Sequence, residues 1–155
     1  MPKVKLPLGI NPGEYCDLPI RLLIVDDRAP AREGLKALLS AAGGYQDLKH
    51  LHPIVIVGEA CDGMEALILV KKQQPDVVLM DVRMPGLNGL ETLRLIKAGW
   101  PGVRVILMSF YGFHRTEALL AGADSFLLKG CSPDELLKEI GTIGFVARAG
   151  VETDV

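Results

Sequence analysis

Five polar side chains stand where apolar runs give out. Asp26 and Asp27 follow LLIV, Asp81 follows VVLM, Ser109 follows VILM and Lys129 follows FLL. Taken one at a time, each has an ordinary role. Asp26 or Asp27 can cap a helix that begins near Pro30, Asp81 and Ser109 suit turns, and Lys129 suits a solvated charge. Gathered in one pocket, they become something else. Three neighbouring carboxylates repel one another in a low dielectric unless a cation sits among them. Such a set suits a hard divalent ion, Mg2+ above all, which binds through a few carboxylates and engages phosphate oxygens. A lysine ammonium is a compact phosphate partner, and a serine hydroxyl donates to a phosphate oxygen. The chemistry suited to all five is phosphoryl transfer onto a carboxylate, with Asp81 as nucleophile and Asp26 and Asp27 as metal ligands.

Whether these residues meet depends on the elements between them. Short apolar runs at 20–25, 54–57, 77–80, 103–108 and 126–128 have the composition of strands covered on both faces of a parallel sheet. The stretches between them carry helix signals. Pro30 suits a first helical turn, and Leu35, Leu38 and Leu39 then share a face. Asp62 can cap a helix that stops near Gln74, before Pro75, and Asn88 can cap the next, carrying Leu90, Leu93 and Ile96. A short helix is expected over 115–121. Ser132-Pro133-Asp134-Glu135 has the form of a capping box opening the last one. Five β-α units predict a doubly wound α/β sandwich, whose ligand site lies at the carboxyl ends of the strands. Right-handed crossovers would bring all five polar residues to that edge.

The 155 residues suit a single domain, and 49% hydrophobic content is too high for a disordered chain. No apolar run approaches the ~20 residues of a membrane span, so no membrane role is expected. The balance of 17 basic against 19 acidic residues argues against a nucleic-acid-binding surface across the whole domain and leaves local basic patches open. Cys16, Cys61 and Cys131 are odd in number and scattered, as suits thiols in a reducing cytosol. The expected location is therefore cytoplasmic. Four prolines and two glycines in residues 1–19, with no continuous apolar segment, suggest an extended arm rather than a secretory leader. The core domain then covers 20–147, with 148–155 as a tail or the start of a linker.

The segments LLIVDD (22–27), VVLMDVRMPGLNGLE (77–91), VILMS (105–109) and AGADSFLLK (121–129) occur in order. Together they resemble the receiver domain of bacterial two-component response regulators, in particular receivers of the LuxR/NarL type. The resemblance implies a flavodoxin-like, three-layer fold with a five-stranded parallel sheet in the order 2-1-3-4-5. It implies Asp81 as phosphoacceptor, with Mg2+ held by Asp26, Asp27, Asp81 and the backbone carbonyl of Arg83. Ser109 matches the switch hydroxyl, Lys129 the phosphate-binding lysine, and Phe126 the aromatic rotamer switch. Periodicity alone makes Phe126 ordinary strand packing. The implied phosphodonor is a histidine kinase, and the implied product is a signalling state rather than enzymatic turnover. The face of the fourth helix, fifth strand and fifth helix would change its partner affinity and could form a homodimer. Control of transcription would then run through a DNA-binding domain that these residues do not contain.

Some features depart from the family pattern. The stretch GGYQDLKHLHP (43–53) lengthens the link from the first helix to the second strand, and its His50 and His52 suit a surface loop. Ser109 and Lys129 are twenty residues apart, which shortens the fourth helix or the loop before it. Gly130 stands where many members have proline, so a trans peptide is expected. Arg83 and Tyr111, each two residues beyond a pocket residue, can screen a phosphoryl group from water or simply lie exposed. Trp100 belongs at the sheet edge away from the pocket. Three other functions are weaker. A haloacid-dehalogenase-like aspartate-nucleophile phosphatase needs D-x-D after its first strand, where this chain has Asp26-Asp27-Arg28. A flavodoxin-type flavin site needs a hydroxyl-rich loop, where DDRAPAREG presents two carboxylates to a phosphate. A scaffold signalling without phosphorylation would lack the acceptor or the lysine.

Overall fold

Each apolar run forms a strand, and each stretch between two runs folds back as a helix. The computed structural model describes residues 18–41 and 53–149. The order is β1 (Ile20–Val25), α1 (Ala29–Ala41), β2 (Ile54–Ala60), α2 (Gly63–Gln73), β3 (Val77–Asp81), α3 (Gly89–Gly99), β4 (Arg104–Ser109), α4 (His114–Leu120), β5 (Ser125–Leu128) and α5 (Pro133–Ala149). All neighbouring strands are parallel, in the order β2-β1-β3-β4-β5. The winding direction reverses between β1 and β3, so their carboxyl ends frame the ligand crevice. Residues 1–17 of the arm, Cys16 among them, and His50 and His52 lie outside the described residues.

The helix boundaries follow local chemistry. Asp62 accepts the Glu65 N–H at 2.8 Å and Asn88 accepts the Glu91 N–H at 2.9 Å. Each such cap stabilises its helix by about 1 kcal/mol. Ser132 accepts the Glu135 N–H at 3.2 Å and opens α5. Gln74 turns into the left-handed region (φ 47°) and stops α2 before Pro75. By contrast, α4 has no side-chain cap and only seven residues, in keeping with the short interval before Lys129.

Two apolar clusters sandwich the sheet. One joins Leu23, Val25, Val78, Met80, Val105 and Leu107 to α2, α3 and α4, and it includes Phe126. The other joins Ile20, Leu22, Ile24, Leu79 and Ile106 to Leu136 and Ile140 of α5. Leu35, Leu38 and Leu39 of α1 pack on this second cluster only partly, and no residue of α1 is fully buried. Trp100 packs against the first cluster from just beyond α3, at the end of the sheet away from the strands' carboxyl termini.

β2 is three residues longer than its apolar run, and a bulge explains how. Leu22 pairs with Ile56 but Leu23 pairs with Gly58, leaving Val57 as an extra residue. A one-residue shift turns the side chains that follow to the opposite face. Ile54 and Ile56 therefore pack with the α1/α5 cluster, whereas Ala60 joins the other one. Glu59 is turned toward α1, where Lys36 Nζ lies 3.0 Å and Arg32 Nε 3.3 Å from its carboxylate.

Candidate functional site

Backbone bonds continue the ladder past the strand ends and fix the pocket residues. Asp26 N–H donates to Ala60 O (3.1 Å), Val82 N–H to Met108 O (3.0 Å) and Lys129 N–H to Ser109 O (2.8 Å). Asp81 and Ser109 are the last residues of β3 and β4 rather than the first beyond them. Gly89 completes the frame. Its N–H donates to Val82 O at 3.0 Å, and a side-chain carbon there would strike the Asp81 carbonyl oxygen. Only glycine lets α3 start this close to the end of the central strand.

Asp26, Asp27 and Asp81 each place a carboxylate oxygen within 4.8 Å of the others. Asp26 and Asp81 are buried, while Asp27 is exposed. Lys129 Nζ bridges the two buried groups, 2.9 Å from Asp26 Oδ2 and 2.7 Å from Asp81 Oδ2. Asp26 Oδ1 also accepts the Arg28 N–H at 2.9 Å, so the residue serves the entrance of α1 and the pocket together. Asp81 Oδ1 accepts the Arg83 N–H at 3.1 Å. One ammonium among three carboxylates leaves two negative charges, which one divalent cation would balance. The donors are all hard oxygens, and the set fits Mg2+ by number and chemistry.

The opposite side of the pocket is aromatic. The Arg83 guanidinium lies 5.1 Å from the Tyr111 ring centroid, so the two residues expected to flank the pocket meet across it. Phe110 lies beneath two cations, Lys129 at 5.2 Å and Arg28 at 5.6 Å. A cleft of about 440 Å³ opens beside this wall, lined in part by Asp27, Arg83, Asn88, His114 and Glu117. Ser109 is buried, and its Oγ lies 2.6 Å from His114 Nδ1. Phe126 is turned inward and is 2% exposed, with the Arg115 guanidinium 5.5 Å from its ring centroid.

A family model described as the response regulator receiver domain matches residues 22–141. The chain belongs to the response regulator receiver family. Among relatives, this receiver is 36% identical over 124 residues to the nitrate/nitrite response regulator protein NarL of Escherichia coli, covering 79% of this chain and 53% of that protein. It is 35% identical over 123 residues to the response regulator GacA of Pseudomonas protegens, covering 78% and 54%. The receiver thus spans about half the length of the curated relatives it matches. In structure, it superposes with a TM-score of 0.71 on the signal receiver domain of the putative response regulator NarL from Mycobacterium tuberculosis, at 34% identity over 81% of this chain and 96% of that one. It also superposes with a TM-score of 0.70 on a chain of the CheX-CheY-BeF3-Mg+2 complex of Borrelia burgdorferi, at 26% identity over 81% and 90%. The observed strand order is the one that the resemblance implied.

The receiver brings Asp26, Asp27, Asp81 and Lys129 together, with Arg83 bonded to Asp81 through its backbone. Ser109 sits at the same edge, but its hydroxyl is engaged with His114. His114 and Phe110 escaped the sequence reading. A signal for each existed: Phe110 directly follows the strand-end serine, and His114 lies five residues after it, on the connection leading away from the pocket. The Lys129–Gly130 peptide is trans as expected, and no cis peptide occurs among the described residues.

A second group of ligand-type side chains, Cys61, Asp62 and Glu65, lies at the β2–α2 turn. Glu65 Oε2 accepts from Cys61 Sγ at 3.0 Å, which pushes the thiol above its ordinary range and holds the carboxyl below its own. Asp62 caps α2, and Glu65 also accepts the Cys61 N–H, so these bonds already account for the turn.

Proposed function

We propose that Asp81 accepts a phosphoryl group from the histidine of a partner kinase and so switches an interaction surface. The observation that carries this reading is the pairing of Asp81 on the central strand with Lys129 at 2.7 Å, inside a cluster of three carboxylates. A carboxylate oxygen of Asp81 attacks phosphorus, the bond from phosphorus to the kinase imidazole nitrogen breaks, and that nitrogen regains a proton. Asp26, Asp27, Asp81 and the carbonyl of Arg83 would hold Mg2+, which when bound offsets charge on the transferring group. Lys129 stays with Asp81 and neutralises a phosphoryl oxygen in place of the carboxylate oxygen it now contacts. Arg83 and Tyr111 cover the outer side and keep water from the acyl phosphate.

Downstream, the response would fall on the face of α4, β5 and α5 through Phe126, a reading supported by the exposed Leu119, Leu120 and Leu128. That face would meet a target or a second copy of the chain. Transcription control, in the cytoplasm, would run through a DNA-binding segment beyond the receiver, in line with relatives about twice its matched length. The role is that of a phosphorylated signal carrier rather than an enzyme with its own substrate. Incubation with acetyl phosphate and Mg2+ should add one phosphoryl mass to the protein and none to Asp81→Asn. Full labelling of that variant would overturn the assignment.

A further inference from the structure

Ser109 is 2% exposed, and its hydroxyl is engaged away from Asp81. Its Oγ accepts the Tyr111 N–H at 3.1 Å and lies 2.6 Å from His114 Nδ1. A serine hydroxyl has one proton and two lone pairs. One lone pair serves Tyr111, and the imidazole takes either the proton or the remaining lone pair, according to its tautomer. The imidazole is itself fixed in place. Its ring centroid lies 4.4 Å from that of Phe113 and 6.1 Å from that of Tyr111, and those two rings stack on each other at 5.4 Å. His114 is also the first residue of α4, a helix with no side-chain cap. The bond to Ser109 therefore ties the start of α4 to the end of β4.

The register places Asp81 opposite Met108, one residue before Ser109. A hydroxyl at that point is within one side chain of a group attached to Asp81. We propose that His114 is a positioning residue of the switch: it holds the Ser109 hydroxyl on the α4 side, and a phosphoryl group on Asp81 recruits that hydroxyl only by displacing it from the imidazole. This deepens the reading of Asp81 as acceptor and rests on it. The two contacts compete for one hydroxyl, so phosphoryl binding frees the start of α4, and loosening His114 favours phosphoryl binding. Linkage makes the two effects equal in size.

The test uses beryllofluoride with Mg2+ as the phosphoryl mimic on the full chain, following the backbone amide of Tyr111 by NMR. His114→Phe keeps the aromatic packing and removes the bond to Ser109. It should lower the half-saturating beryllofluoride concentration about fivefold, equivalent to ~1 kcal/mol. In the S109A background the same substitution should change it less than twofold, because the competition is gone. His114→Asn, which can still bond to the hydroxyl, should restore binding toward the wild-type value. An unchanged midpoint in His114→Phe, or an equal change with and without Ser109, would overturn the role of His114 alone. Failure of the wild-type protein to bind the mimic, or equal binding by Asp81→Asn, would overturn the acceptor reading and this inference with it.

Discussion

On the strand side of the pocket, the Asp26, Asp81 and Lys129 side chains are about nine-tenths buried and bonded to one another. On the α4 side, Phe110, Tyr111 and Phe113 are 61%, 46% and 72% exposed, and the last two stack on each other and pack at an angle against His114. The strand side stores charge in a fixed frame, since every member is anchored at the end of a hydrogen-bonded strand. The α4 side is held by few buried contacts and by two hydrogen bonds to the Ser109 hydroxyl, so it can rearrange at small energetic cost. On the proposed reading, one wall would keep the reacting atoms in place and the other would report what happened to them.

Removing the ammonium tests the first wall most severely. Lys129→Met leaves two buried carboxylates without their shared partner and should lower stability by about 2–4 kcal/mol in urea unfolding. Added Mg2+ should recover part of that loss, and an unaltered midpoint would show that the charges are not coupled. Next in size is the aromatic screen. The Arg83→Ala, Tyr111→Ala double variant should hydrolyse its acyl phosphate roughly threefold faster, measured as loss of phosphoryl mass over time. Equal lifetimes would leave both side chains as surface groups. Phe113→Ser should shift stability by less than about 0.5 kcal/mol, because the ring is mostly in water already. A large loss there would erase the distinction between the walls. The smallest effect lies outside both. Glu65→Gln removes the main cause of the raised Cys61 thiol, so its thiolate fraction at pH 8 increases. Alkylation of Cys61, followed by peptide mass, should quicken by about twofold.

The acid wall was legible in the sequence because each member is set by a local rule. An apolar run ends, a polar residue follows, and parallel winding stacks those ends at one edge. Caps such as Asp62 and Asn88 were legible for the same reason. The contact from Ser109 to His114 was not, since it depends on where α4 starts, and that helix lacks a cap signal. Nor was the shallow seating of α1. Leu35, Leu38 and Leu39 have the spacing of a buried face, yet they are only half-buried, beside a largely apolar cleft of about 270 Å³ that reaches Phe110 and Lys129. Depth of burial depends on what fills the space opposite, which periodicity does not contain. Alternation also misses the bulge, because Ile54, Ile56, Gly58 and Ala60 read as one face of a regular strand.

That bulge governs which changes β2 can absorb. Exchanging Val57 for another β-branched residue alters one half-buried side chain on a strand at the edge of the sheet. Deleting it would let Gly58 follow Ile56 in regular alternation, with Glu59 still opposite Ile24 on the side of Lys36 and Arg32, and Ala60 still opposite Val25 in the cluster beside Asp26. The extra residue is thus separable from the pairing that follows it, and β2 can differ among related chains by the one residue that the bulge absorbs.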